Sequence, residues 1–487
     1  MASQNTNDGT APQSGVLGDS AQTVVAPGAA QGVTAPDAAP QPAEPLSVSF
    51  SEAWHYWLKL GFISFGGPAG QIAIMHAELV EKRRWISEAR FLHALNYCMV
   101  LPGPEAQQLA TYIGWLMHRT WGGIVAGALF VLPSLFILIA LSWIYIAFGN
   151  TTLVAGLFYG IKPAVTAIVL QAAHRIGSRA LKGAVPWGIA AVSFIAIFAF
   201  NVPFPAIVIA AGIIGALHGR FAPDAYKGGG HGSSGKKSYG AAVIDDHTPT
   251  PQHALFTWAR FTRVAVIGLL LWAIPMAAMT AAWGWEHTFT QMGWFFTKAA
   301  LLTFGGAYAV LPYVYQGAVV DFGWLTPAQM IDGLALGETT PGPLIMVVAF
   351  VGFVGGYLKA LFGPESLFLA GAVAASIVTW FTFLPSFIFI LAGGPLVETT
   401  HGNLKFTAPL SAITAAVVGV IVNLALFFGY HVLWPQGFSG NALGTVDWIS
   451  AVIAIGAAIA LFRFKRNVIH VIAACAVIGL LVQVTRM

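Results

Sequence analysis

Lys59 to Gln71 reads KLGFISFGGPAGQ, an otherwise apolar stretch that carries a lysine, paired glycines and a proline. A lysine in hydrocarbon is costly unless it is hydrated or paired. Gly-Gly-Pro is a poor way to continue a helix, because glycine is entropically weak there and proline lacks the N–H. The chain can instead leave the helix at Gly66-Gly67 and restart with Pro68 at the first helical position, where a missing N–H costs nothing. The stretch therefore reads as a broken helix with a charge beside the break.

The surroundings place that break in a membrane. Only 9% of the 487 residues are charged and 57% are hydrophobic, with a mean hydropathy of +0.74; soluble domains carry about 25% charged residues. Runs such as Gly122 to Phe148 exceed the roughly 20 apolar residues needed to cross a bilayer. Many recur, which makes this an all-α polytopic membrane protein; a β-barrel would show short alternating segments. The net charge of +4 is spread over loops, which fits cytoplasmic loops rather than nucleic-acid binding. Cys98 and Cys475 lie in apolar surroundings, so neither a disulfide nor a metal site is expected, and no motif calls for a cofactor.

Apolar segments fall near 53–77, 91–117, 121–148, 153–173, 185–201 and 203–218, then 263–283, 290–316, 328–357, 366–393, 406–430, 447–463 and 467–485. That is about 13 transmembrane segments: six, one, six. Residues 1–48 read as a disordered tail, 49–220 as a first transporter repeat and 221–257 as a flexible cytoplasmic linker. A connecting transmembrane helix over 258–285 and a second repeat over 286–487 complete the chain.

The two sixes are related. Ser64-Phe65-Gly66-Gly67 matches Thr303-Phe304-Gly305-Gly306 at an offset of 239, and the same offset carries Pro102-Gly103-Pro104 onto Pro341-Gly342-Pro343. Residues 59–104 and 298–343 share 11 identities in 46 ungapped positions. Six helices plus one insert the second repeat upside down, the inverted plan common among secondary transporters. With the N-terminus cytoplasmic, loop basic residues divide 14 inside to 6 outside, as the positive-inside rule favours. The cluster Lys82-Arg83-Arg84 falls on the wrong side, and a re-entrant first hairpin would change the parity.

Lys59 and Lys298 are repeat mates, each five residues before Ser/Thr-Phe-Gly-Gly. Either they snorkel to an interface or they serve a site; matched placement favours a site. Four helix breaks would aim unpaired N–H groups and positive dipole ends at one spot, which suits an anion. The expected substrate-binding set is Lys59, Ser64, Gly66, Gly67, Pro68, Gln71, Pro102, Gly103, Pro104, Gln107, Lys298, Thr303, Gly305, Gly306, Thr340, Pro341, Gly342 and Pro343. Glu105, Glu338 and His76 are candidates for proton coupling, and Lys162 is expected to snorkel. No catalytic group and no metal ligand is expected.

FGGPAGQ, then W-I-S and LPGPEAQQLATYIGW, with TFGGAYAVLPYV, GLALGETTPGPLIM and VGF in the second half, together resemble the chromate ion transporter family over residues 53–487. The resemblance implies a bacterial inner-membrane carrier that exports chromate on the electrochemical gradient, without ATP, and so confers chromate resistance. It also implies a two-domain fusion of opposed topology. Sulfate or another tetrahedral oxyanion is a close variant, and a homodimer is left open. An intramembrane lipid-phosphate enzyme or scramblase is the alternative from another class, resting on His76, Glu78 and Arg83-Arg84.

Overall fold

In the computed structural model, which describes residues 47–65, 67–221, 239–246, 248–249, 251–304, 306–399, 407–437 and 444–486, helices dominate throughout. These residues all fall in one unit, Glu44–Met487. α1 (Phe50–Ile63) starts on Ser49, whose Oγ accepts from the Glu52 N–H at 3.1 Å. It stops at Ser64-Phe65, and α2 (Gly67–His76) runs into a π-helical turn at Ala77–Lys82. α3 (Glu88–Val100) is capped by Ser87. After the break at 101–104 comes α4 (Glu105–Phe148), whose path bends at His118 and Arg119. α5 (Thr152–Ala180), α6 (Ala184–Phe200), α7 (Phe204–Phe221) and α8 (Trp258–Trp283) follow.

The second half repeats the plan. α9 (Thr288–Leu302), α10 (Ala307–Tyr315) with a π turn at Gln316–Asp321, α11 (Pro327–Thr339) and α12 (Val347–Leu358) precede four longer helices. These are α13 (Leu367–Thr399), α14 (Thr407–Leu433), α15 (Trp448–Phe462) and α16 (Val468–Thr485). The two π turns lie 239 residues apart, as do α3 and α11. Even the turn after each π segment recurs: the Trp85 N–H donates to Leu79 O at 2.8 Å and the Trp324 N–H to Ala318 O at 2.7 Å.

The segments at 53–77 and 91–117, counted above as single spans broken at their Gly/Pro sites, are folded back on themselves. Arg83, past the π turn, pairs with Glu52 at the start of α1 at 3.3 Å, and the Tyr56 and Trp85 rings meet at 5.1 Å. Phe295 and Trp324 repeat that contact at 5.7 Å. In the second hairpin, Tyr97 of α3 faces Tyr112 of α4 at 6.0 Å, and the His118 Nε2 bonds the Val48 carbonyl beside α1 at 3.0 Å. The two hairpins of the first half thus open toward one end of the molecule, with their breaks at the tips. Glycine and proline stop α1 and α3 after 14 and 13 residues, short of the roughly 20 a span requires, and distant contacts such as Glu52 with Arg83 turn the chain back.

The halves exchange helices reciprocally. α5 packs against α15 and α16, while α14 packs against α6 and α7. Small residues allow the close approach: a β-carbon on Gly160 would sit 1.8 Å from the Cys475 carbonyl oxygen, and one on Gly419 2.1 Å from that of Ala190. Among the described residues, seven helical segments are long and apolar enough to cross a membrane, including α5, α8, α14 and the long helix containing Pro133. Among the described residues no strand occurs, only the bridge Ile86–Ile244.

That bridge corrects the linker reading. Residues 239–246, 248–249 and 251–254 are docked rather than free: Ile244 is buried, its N–H donates to Trp85 O at 3.0 Å, and Arg90 Nη2 donates to Thr248 O at 2.5 Å. His253 seats its Nε2–H on the Trp115 carbonyl at 2.9 Å, and burial pushes its imidazole below the ordinary value. Residues 222–238, and residues 1–46 of the tail expected over 1–48, lie outside the described residues. Cys98 and Cys475 are buried and free.

Candidate functional site

The tips of the two halves meet through their backbones. The Gly103 N–H donates to Thr303 O at 2.7 Å, and the Gly342 N–H donates to Ser64 O at 2.8 Å. Gly103 and Gly342 are repeat mates, as are Ser64 and Thr303, so each bond is the image of the other. Such mutual contact is the mark of a two-fold relation. Both glycines need positive φ, 130° and 105°, which side chains resist. Space is lacking as well: a β-carbon on Gly103 would lie 2.3 Å from Ser386 Oγ, and one on Gly342 would lie 2.7 Å from Ser134 Cβ. Ser134 and Ser386 each follow a helix-interior proline, Pro133 and Pro385.

Side chains then complete the tips unequally. Gln71 Nε2 donates to the Gly342 carbonyl at 2.5 Å, and Gln108 Nε2 donates to Pro102 O at 2.8 Å. Several buried polar atoms here have no hydrogen-bond partner, namely Ser64 Oγ, Ser134 Oγ, Gln71 Oε1, Gln107 Oε1 and Gln108 Oε1. An unpaired polar group in a dry interior is costly. Their concentration at one place makes the tips a cluster of buried polar groups between the halves. α2, α4 and α10 all begin there, directing their N-terminal N–H groups inward.

Most of the expected residues cluster at these tips. Gly67, Pro68, Pro102, Pro104, Gly306, Pro341 and Pro343 form the breaks; α4 begins at Glu105, with Pro104 as its N-cap. Gly66 and Gly305 lie outside the described residues. Thr303 and Thr340 turn their hydroxyls back onto Ala299 O and Leu336 O, each at 2.7 Å. Gln107 bonds Thr111 at 3.0 Å on the next turn of α4. Glu105 is half-buried, its Oε1 4.0 Å from where a β-carbon of Gly306 would sit. Glu338 accepts from the Tyr308 hydroxyl.

Three expected residues stand elsewhere. Lys59 lies exposed on α1. Lys298 packs its amine over Trp294, 5.8 Å from the ring centre, within electrostatic reach of Asp321 at the end of the π turn, so it leans away from the tip. His76 is held between Glu81 at 3.2 Å and Glu88, at the open end of its hairpin. The cluster behind a lipid-phosphate enzyme is likewise occupied, since Arg83 pairs with both Glu52 and Glu78.

Sequence reading missed four charged positions. The apolar run ends near 173, with Arg175 and Arg179 in its wake, yet α5 continues to Ala180 and carries both arginines. Arg175 faces the Tyr308 ring at 6.0 Å. Lys162 does not snorkel: it pairs with Asp332 at 3.3 Å, and the Tyr145 hydroxyl donates to the same carboxylate at 2.8 Å, with Asp332 buried to 3% side-chain exposure. Glu398, from α13, accepts from Arg90 at 3.4 Å and from Tyr112. Alternation of charge and apolar residue at helical spacing past 173 was the available signal for the arginines. Nothing local betrayed the Asp332 partnership, which joins positions 170 residues apart. Among the described residues no cluster of His, Cys, Asp or Glu could hold a metal.

A bundle of apolar helices with a cluster of buried polar groups between two repeats defines an integral membrane protein of the polytopic helical class. A family profile described as chromate transporter matches residues 51–216 and 290–480. The chain belongs to the chromate transporter family. A chromate transport protein of Pseudomonas aeruginosa is 35% identical over 384 residues, covering 78% of this chain and 81% of the relative. One from Cupriavidus metallidurans is 28% identical over 428 residues, covering 87% and 91%. An uncharacterized transporter of Methanocaldococcus jannaschii is 23% identical over 431 residues, covering 88% and 92%. No solved structure matches the chain.

Proposed function

We propose that the protein exports chromate across the bacterial inner membrane, and that the oxyanion passes through the pocket where the hairpin tips of the two halves meet. The reciprocal pair of bonds, Gly103 to Thr303 and Gly342 to Ser64, carries this reading. It supports a site shared by two related halves, and family membership supplies the cargo. The hairpins α1–α2 and α3–α4 enter from the cytoplasmic face and return to it; α9–α10 and α11–α12 do the same from the opposite face. The crossing helices are then the part of α4 after the bend, α5 to α8, and α13 to α16. The repeats remain inverted, related across α8.

Charge supports this topology over thirteen full spans. Folding the first hairpins back brings Lys82, Arg83, Arg84 and Arg90 to the cytoplasmic side. Counted by the connections in which they fall, loop basic residues then divide 18 inside to 2 outside, Lys359 and Arg486 alone remaining outside. The positive-inside rule favours that division over 14 to 6.

A dianion leaving an inside-negative cell gains about 2.3 kcal/mol per charge per 100 mV. Membrane potential therefore suffices to drive export and confer resistance, and proton coupling is an addition. Glu105 and Glu338, at the tips, are the acids placed for it. Sulfate shares the shape and charge of chromate and competes for the pocket. Uptake of labelled chromate by everted vesicles tests the reading. Uptake that needs the potential and is inhibited by sulfate is expected; vesicles that take up no more chromate than those lacking the protein refute it.

A further inference from the structure

The pocket is rich in N–H groups, yet its expected lysines point elsewhere. α5 brings cations in their place. Arg175 and Arg179 are one turn apart and share a face of that helix. Arg175 lies over the ring of Tyr308, the second residue of α10 and two positions past the tip glycine Gly306. Arg179 is within electrostatic reach of Glu105, which borders Gly306 from the other half. Arg175 therefore flanks this tip, and the charge of Arg179, one turn on, is felt at its Glu105.

Neither is neutralised there. Among the described residues no carboxylate lies within ion-pair distance of Arg175 or Arg179, and no acceptor bonds either guanidinium. Other arginines find partners: Arg83 on Glu52 at 3.3 Å, Arg260 on Leu255 O at 2.9 Å and Arg486 on Tyr159 at 3.3 Å. Glu338 is the nearby carboxylate that could capture Arg175, and the Tyr308 hydroxyl holds it instead. Tyr308 thus does two things at once. Its ring face seats the Arg175 cation, and its hydroxyl keeps a competing anion occupied.

We infer that Arg175 and Arg179 are the fixed cations that coordinate the transported oxyanion, a tetrahedral dianion, against the hairpin tips, with Tyr308 as their positioning residue. This rests on the transport reading above. A guanidinium offers two parallel N–H donors that match two oxygens of one tetrahedral anion, which a lysine amine does not reproduce. The half-exposed position of Arg175 and the exposed position of Arg179 at the last turns of α5 let cargo reach them from the cytoplasmic end.

The test is equilibrium binding of radiolabelled chromate to the purified full chain in lipid nanodiscs. Arg175→Gln and Arg179→Gln each weaken binding at least tenfold, and Arg175→Lys, which keeps the charge, falls between them and the wild type. Lys359→Gln, at the opposite end, binds as wild type and controls for net charge. Tyr308→Phe keeps the ring but releases Glu338, so it weakens binding, and adding Glu338→Gln restores it; a merely structural tyrosine would show no such rescue. Wild-type-like binding by both glutamine variants, at unchanged thermal unfolding, overturns the inference. A wild type that binds no chromate overturns the transport reading instead, and the inference with it.

Discussion

The first half brings Gln71, Pro68 and Glu105 to its tips, where the second half has Val310, Ala307 and Leu344 at the same offset. The backbone contacts between these tips are nonetheless mirror images, at 2.7 and 2.8 Å. The difference teaches how a duplicated membrane fold divides its work. Backbone bonds and glycines hold the joint, so both copies must keep them. Side chains that read or neutralise cargo can exist once, because both halves line a single pocket. Polar groups such as Gln71 are costly in a membrane interior, which works against keeping a second copy without a use.

The largest effect expected from this comparison is a matter of side. Lys82 and Asp321 are repeat mates, each closing a π turn. With Lys82→Cys and Asp321→Cys in a chain lacking its own cysteines, an impermeant thiol reagent labels the first only from the cytoplasm and the second only from outside. Thirteen full spans demand the reverse. The same side for both breaks the inverted comparison altogether.

The next comparison is between the two ends. At one, Arg90 and Tyr112 of the first half hold Glu398 of the second. At the other, Lys162 and Tyr145 of the first half hold Asp332 of the second. Removing one partner of a buried pair costs about 3–5 kcal/mol. Lys162→Met therefore lowers the thermal unfolding temperature sharply, and Lys162→Met with Asp332→Asn recovers most of the loss. If the single variant is as stable as wild type, the two ends are not equivalent ties.

A smaller effect sharpens the tip asymmetry. Gln71→Val imports the residue of the second half and removes the bond to the Gly342 carbonyl, worth about 1 kcal/mol. Chromate uptake falls severalfold, whereas Val310→Gln brings no gain. The smallest effect concerns the docked segment 239–254. Burial holds His253 below the ordinary imidazole value of 6.5, so docking is fully supported above that pH. It weakens as the pH falls through the folded value, because the charged ring must leave its site. Hydrogen exchange of 239–254, corrected for intrinsic rates, is therefore faster at pH 5 than at pH 7.5; equal rates remove His253 as an anchor.

Much of this was legible in KLGFISFGGPAGQ and its copy. Gly/Pro breaks and a constant offset located all four tips, because they are local chemistry. What could not be read was direction. A broken helix of 24 residues can continue or turn back, and the choice is made by distant contacts such as Glu52 with Arg83. The lysines misled for a related reason: five residues from a break fixes height along a helix, not the face. Arg175 and Arg179 escaped because hydropathy ended their helix seven residues before its last residue, Ala180.

The central claim is that two related tips make one chromate pocket. Its most direct test is potential-driven uptake of labelled chromate into proteoliposomes carrying wild type, Gly103→Ala or Gly342→Ala. Each alanine meets both a positive φ and an occupied space. The account predicts that either substitution alone reduces uptake at least tenfold, and that both do so equally, while protein remains inserted in the bilayer. Wild-type uptake by either variant would contradict it.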